Sequence, residues 1–199
     1  PMRIFGIVLI ALVACNGGGD DTSTTNADAS TSTQTTTPAA ASSIVVNEFN
    51  AVGTVEWLEL ANGGTESFDL SGYGLADSDK DTGAPKTDDK LTFPAGTSIA
   101  AGGKLVIVVS KKDSTPGPHP SAECGVTGPE TCLMATWGVS ASNGEQVHFL
   151  SPSNEVITST AYPRNLGIDS ANGQTACRIP DATGELATCA GTPGTANHQ

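Results

Sequence analysis

No stretch of this chain sustains an apolar period of about 3.6 residues; its apolar side chains fall into short runs closed by Gly, Asn, Asp or Pro. A helix needs one apolar stripe kept up over several turns, so this spacing points to strands joined by tight turns. Ile44-Val45-Val46-Asn47-Glu48-Phe49 is the first such run, residues 56–62 and 69–77 follow it, and Asn62-Gly63-Gly64 is a strong turn signal. Leu105-Val106-Ile107-Val108-Val109, entered from Gly102-Gly103, is apolar without interruption and predicts a central strand buried on both faces. Residues 91–93, 146–150, 155–162 and 175–179 predict further strands, with turns at Pro94-Ala95-Gly96, Asn143-Gly144 and Asn172-Gly173. Many strands at close spacing predict an all-β chain closed as a sandwich. Phe49, Trp57, Tyr73, Phe93 and Phe149 are expected in its core, not on a ligand platform.

The order of these segments is more specific than their type. Asn47-Glu48-Phe49 closes one strand, Glu56-Trp57-Leu58-Glu59-Leu60 forms the next, and Asp69-Leu70-Ser71-Gly72-Tyr73-Gly74-Leu75 makes a turn and a strand. Phe93-Pro94-Ala95-Gly96-Thr97, Ala101-Gly102-Gly103-Lys104-Leu105-Val106-Ile107, Asn143-Gly144-Glu145-Gln146-Val147 and Gly191-Thr192-Pro193-Gly194-Thr195-Ala196-Asn197 follow. In this order, residues 44–197 resemble the lamin tail domain. The resemblance implies an immunoglobulin-like β-sandwich over residues 44–199, with no catalytic role for Glu48, Glu56 or Glu59. A domain of about 150 residues is long enough for one self-sufficient core.

Residues 1–14 carry one cation, Arg3, followed by an apolar run from Ile4 to Val13 broken only by Gly6. A membrane-spanning helix needs about 20 apolar residues, so this run has the length and flanks of a secretory signal peptide. It ends in Leu12-Val13-Ala14-Cys15, which resembles the lipobox of bacterial lipoproteins. That resemblance implies cleavage before Cys15 and a diacylglycerol on its thiol; the alternative is an ordinary signal peptide with an incidental cysteine. Residues 15–43 then read as a lipid-anchored, disordered Ser- and Thr-rich tether, too poor in apolar side chains to offset the entropy of ordering. The expected location is a bacterial cell envelope, at the outer membrane or cell surface.

The chain carries 21 acidic against 9 basic side chains, a net charge of −12. Nucleic-acid affinity comes largely from Lys and Arg displacing counterions, so nucleic acid is not an expected partner, and the short Lys111-Lys112 pair reads as a solvated turn. Apart from Cys15, Cys124, Cys132, Cys177 and Cys189 remain, an even set that in an exported chain argues for disulfides. Three pairings are open; nearness in sequence favours Cys124 with Cys132 and Cys177 with Cys189, and metal binding lacks a Cys-x-x-Cys spacing.

Asp77, Asp79, Asp81 and Asp88 share one loop, and alternate carboxylates suit a hard cation such as Ca2+. Gly83 sits one place late for an EF-hand and Pro85 follows it, so a solvated acidic turn is the alternative. No Gly-x-Ser-x-Gly elbow or Walker loop is present. The expectation is a non-catalytic protein that displays its sandwich to a protein or glycan of the envelope. Its rival is a calcium-dependent adhesin or carbohydrate-binding module using the loop at 77–89.

Overall fold

The computed structural model describes residues 41–110, 117–142 and 145–199. The signal peptide, Cys15, the tether up to residue 40, Lys111-Lys112 and Asn143-Gly144 lie outside the described residues. In chain order the first strands are β1 (Ile44–Asn50), β2 (Trp57–Asn62), β3 (Phe68–Asp69), β4 (Gly74–Asp77), β5 (Leu91–Thr92), β6 (Ser98–Ile99) and β7 (Lys104–Val108). After them come β8 (His119–Pro120), the single-turn α1 (Ser121–Cys124), β9 (Thr131–Met134), β10 (Gln146–Leu150) and β11 (Val156–Ala161). A 3-10 turn, Ser170–Asn172, leads into β12 (Gln174–Arg178) and β13 (Leu186–Ala190).

These strands form a seven-stranded sheet ordered β13-β12-β1-β2-β7-β9-β8, a four-stranded sheet ordered β11-β10-β4-β5, and a small β3-β6 pair. The described pairings are antiparallel except for β7 with β9, which run parallel. One core joins the two larger sheets: Phe49, Leu58, Leu60 and Ile107 from the first meet Leu75, Leu91, Val147 and Phe149 from the second. Tyr73 stacks on Phe149 with ring centroids 5.4 Å apart, and Phe68 meets Tyr73 edge-on at 5.1 Å.

A bulge in β1 decides which residues reach that core. Ile44 and Val46 face inward at the usual two-residue spacing, and the register then shifts between Val46 and Glu48, so that Phe49 returns to the core opposite Leu58. Without the extra residue, strand parity would turn Glu48 inward and Phe49 out. With it, Glu48 stands opposite Glu59 on the outer face of the sheet.

The uninterrupted apolar run of β7 has a plain explanation. Leu105 and Ile107 pack into or against the main core, while Val106 and Val108 enter a second cluster on the other face with Trp57, Met134, Cys124 and Cys132. A strand covered on both sides loses the usual alternation. Trp57 is buried, at 4% exposure, but in this second cluster and not between the sheets.

One expectation is corrected. Residues 69–77 are not one strand: Gly72, at φ 78°, turns the chain so that β3 pairs with β6 while β4 joins the four-stranded sheet. Beyond β7 the large sheet is extended by β9 and then β8, and α1 follows directly on β8.

Phe149→Ala is expected to destabilise the fold by about 3–5 kcal/mol, because it empties the space between two sheets. Val52→Ser, at a site 40% exposed, should stay within about 0.5 kcal/mol of the parent. Urea denaturation of the two variants checks the contrast.

Candidate functional site

The outer face of the large sheet holds the acidic centre of the domain. Glu48 and Glu59 face each other across β1 and β2, and both are fully buried. Their cover is the chain's own tail. Thr192 donates to Glu48 from its backbone N–H (3.0 Å) and its hydroxyl (3.0 Å), and Thr175 Oγ1 donates to the same carboxylate. Gly194 N–H donates to Glu59 Oε2 (2.7 Å), while Asn47 Nδ2 reaches both Glu59 Oε1 and Asp181 Oδ1 at 2.9 Å. Asn197 then ties the tail down by donating to the Arg178 carbonyl (2.9 Å). Gly128 shapes this closure, because a Cβ there would stand 2.3 Å from the Pro193 carbonyl oxygen.

Burial dominates the electrostatics of the pair. It pushes the Glu59 carboxyl up to about 7, against the bonds from Asn47 and Gly194 and with help from the neighbouring Glu48 charge. Glu48 is raised as well, by burial against the Thr175 and Thr192 bonds. Burial also works against the Asp181 charge, but bonds from Asn47, Lys104 and the Asn197 N–H outweigh it and hold that carboxyl below its ordinary value. Lys104 Nζ lies 3.0 Å from Asp181 Oδ2. Two carboxylates this close could in principle share acid and base roles, but these two are sealed from solvent and occupied by structural donors.

An open site lies at one end of the sandwich, where the β1–β2 loop, the turn after α1, the 3-10 turn and the start of the tail converge. They bound two adjoining grooves of about 180 and 320 Å3 that share Asn50, Val126 and Ser170. Asn50 Nδ2 donates to the Val55 carbonyl (3.1 Å) and holds the first loop in shape. Asp169 caps the 3-10 turn through Ala171 N–H (3.1 Å) and Asn172 Nδ2 (2.7 Å). Sequence reasoning missed this cleft, since its walls come from four separated segments with no shared motif.

The acidic loop is arranged differently. Asp77 is buried with Lys86 Nζ 2.7 Å from its Oδ2, and Asp81 holds Lys80 at 2.7 Å. Asp79 Oδ1 accepts from Thr82 N–H (2.8 Å) and Asp81 N–H (3.1 Å), which keeps its carboxyl below the usual range. Asp88 is exposed. Among the described residues, no three His, Cys, Asp or Glu side chains are gathered as a metal-binding set, so the structure does not bring these four carboxylates to one point. His148 packs with Nδ1 2.8 Å from Ser159 Oγ, and burial holds its ring below the ordinary value.

The cysteines pair as Cys124–Cys132, with Cα atoms 5.9 Å apart, and Cys177–Cys189, with Cα atoms 6.1 Å apart. The first fastens α1 over Trp57 and Val106, and the second links β12 to β13. Each contributes on the order of 2–4 kcal/mol by restricting the unfolded chain.

A two-sheet fold sealed by its own tail, with loops presented at one end, belongs to the class of immunoglobulin-like binding domains. Within that class, the model of the Lamin Tail Domain matches residues 37–186, and the chain belongs to this family. The tail that covers Glu48 and Glu59 lies past the matched span. No curated protein matches the chain.

The raised Glu59 carboxyl sets a pH dependence with a definite sign. Its folded value lies above the ordinary 4.5, so its stabilising contribution is full below about 4.5 and is lost as pH rises through about 7. Asp181, held below 3.8, acts the opposite way and loses its contribution as pH falls through its folded value. The urea midpoint should therefore drop between about pH 5 and about pH 8. Glu59→Gln should flatten that slope yet weaken the fold at about pH 5, because its amide sets an N–H against the Asn47 or Gly194 donor.

Proposed function

We propose that this chain is a non-catalytic binding domain, moored to a bacterial envelope membrane by lipid on Cys15, that presents the loop end of its sandwich to a protein or glycan of the envelope. The observation that carries the reading is the contrast between the two ends of its chemistry. The buried carboxylates are closed under the tail and used as acceptors, whereas the cleft bounded by Asn50, Val126 and Ser170 is open and draws on four separate segments. Mooring is supported by the sequence alone, through the lipobox-like Leu12-Val13-Ala14-Cys15 and the Ser- and Thr-rich stretch after it. No helix among the described residues is long and apolar enough to cross a membrane, so attachment through Cys15 would leave the whole sandwich free to engage a partner. The calcium-dependent alternative gains no support from the way the carboxylates of the loop at 77–89 are engaged.

Radiolabelled fatty acid should appear on the native chain and be absent from Cys15→Ser, which should leave the membrane fraction; label retained by the variant would defeat the mooring. Binding at the loop end is checked separately with the full chain carrying Cys15→Ser, sedimented with isolated envelopes. Binding should saturate, fall with Thr127→Arg in the cleft and persist with Val156→Arg on β11. Equal loss in both variants would remove the loop end as the binding surface.

A further inference from the structure

Resting on the reading just given, we propose that the loop-end cleft is a site for an uncharged saccharide chain, held by side-chain amides and hydroxyls. The charge pattern narrows the ligand first. The chain as a whole is strongly acidic, at −12, yet none of the described residues lining the two grooves is ionisable. Asp169, next to the lining residue Ser170, is turned into its own 3-10 turn. A charged ligand would lose hydration there without gaining a counter-charge, and an anion would also face the field of the whole chain.

The polar groups that remain are neutral and two-sided. Asn50 and Gln174 supply amides, while Thr54, Thr127 and Ser170 supply hydroxyls. Amides and hydroxyls both donate and accept, as sugar hydroxyls do. Gln174 Oε1 accepts from Asp169 N–H (3.0 Å), which fixes the amide plane and leaves its N–H donors without a partner among the described residues. Asn50 spends one donor on the Val55 carbonyl and keeps its oxygen as an acceptor.

An apolar surface completes the site. Val52, Val126 and Pro193 supply it, while Trp57, at 4% exposure, reaches the smaller groove with only a small part of its surface. The C–H face of a pyranose suits such a surface. A protein partner fits less well. Stable protein interfaces centre on large exposed anchors, and Val52 and Val156 are the exposed large hydrophobic residues among those described, with Val156 away on β11.

The test is an NMR titration of the full chain carrying Cys15→Ser. The probes are short neutral cello-, malto- and chito-oligosaccharides, an anionic oligogalacturonate, and an uncharged Gly-Ser-Thr peptide. At least one neutral sugar should give saturable shifts at the Gln174 and Asn50 amides and the Trp57 indole N–H. Gln174→Ala should weaken that binding about three- to tenfold, and Thr127→Arg should abolish it with the far-ultraviolet spectrum unchanged. The proposal is overturned by no saturation with any neutral sugar at about 10 mM, well above a millimolar dissociation constant. It is overturned equally by preference for the anionic sugar or the peptide, or by sugar shifts that survive Thr127→Arg. Failure of every neutral sugar, with envelope binding still lost on Thr127→Arg, would remove the saccharide and leave the binding-domain reading standing.

Discussion

Two carboxylates buried side by side on a sheet each forfeit hydration, at a cost of several kcal/mol per ion, and repel each other as well. Glu48 and Glu59 persist in that position because donors from three directions meet them: Thr175 from β12, Asn47 from the bulge, and the Thr192 and Gly194 backbone from the tail. The same contacts hold the tail against the sheet, so the acidic pair and its cover stabilise each other. Removing one acceptor would leave several buried donors without partners, which costs more than the bond itself contributes.

That mutual dependence explains why the large sheet has two apolar or sealed faces although only one meets the second sheet. Over β7 and β9 the outer face is covered by α1 and the Cys124–Cys132 link, which shelter Trp57, Val106 and Val108. Over β12, β1 and β2 it is covered by the polar tail. The two covers touch at Gly128, whose missing side chain admits Pro193. Apolar cover works by area and tolerates small shifts, whereas the polar cover works only if each N–H meets its oxygen.

Where the two covers meet at the end of the sheet, their turns stand beside the β1–β2 loop and the 3-10 turn, and the uncharged cleft lies among them. Binding there can change without touching the core, since Thr54, Thr127 and Ala171 are exposed loop positions. The acidic loop at 77–89 follows another logic. Asp77 and Asp81 hold Lys86 and Lys80, Asp79 accepts from nearby N–H groups, and Asp88 stands exposed.

Strand type and turn position were legible because they are local: β-branched runs, Gly and Pro carry them within a few residues. The continuous apolar run at β7 even announced burial on both faces, and the ordered motifs pointed to the lamin tail domain. Which glutamates would meet was not legible. That depends on one extra residue at the β1 bulge, which reverses the parity of everything after it, and on a tail lying 144 positions from the glutamate it covers. The sequence by itself determined the sandwich and its family, since periodicity and punctuation act at short range. Only the tertiary structure decided the buried acid pair and the neutral cleft, because both are made by register and by segments that become neighbours only on folding.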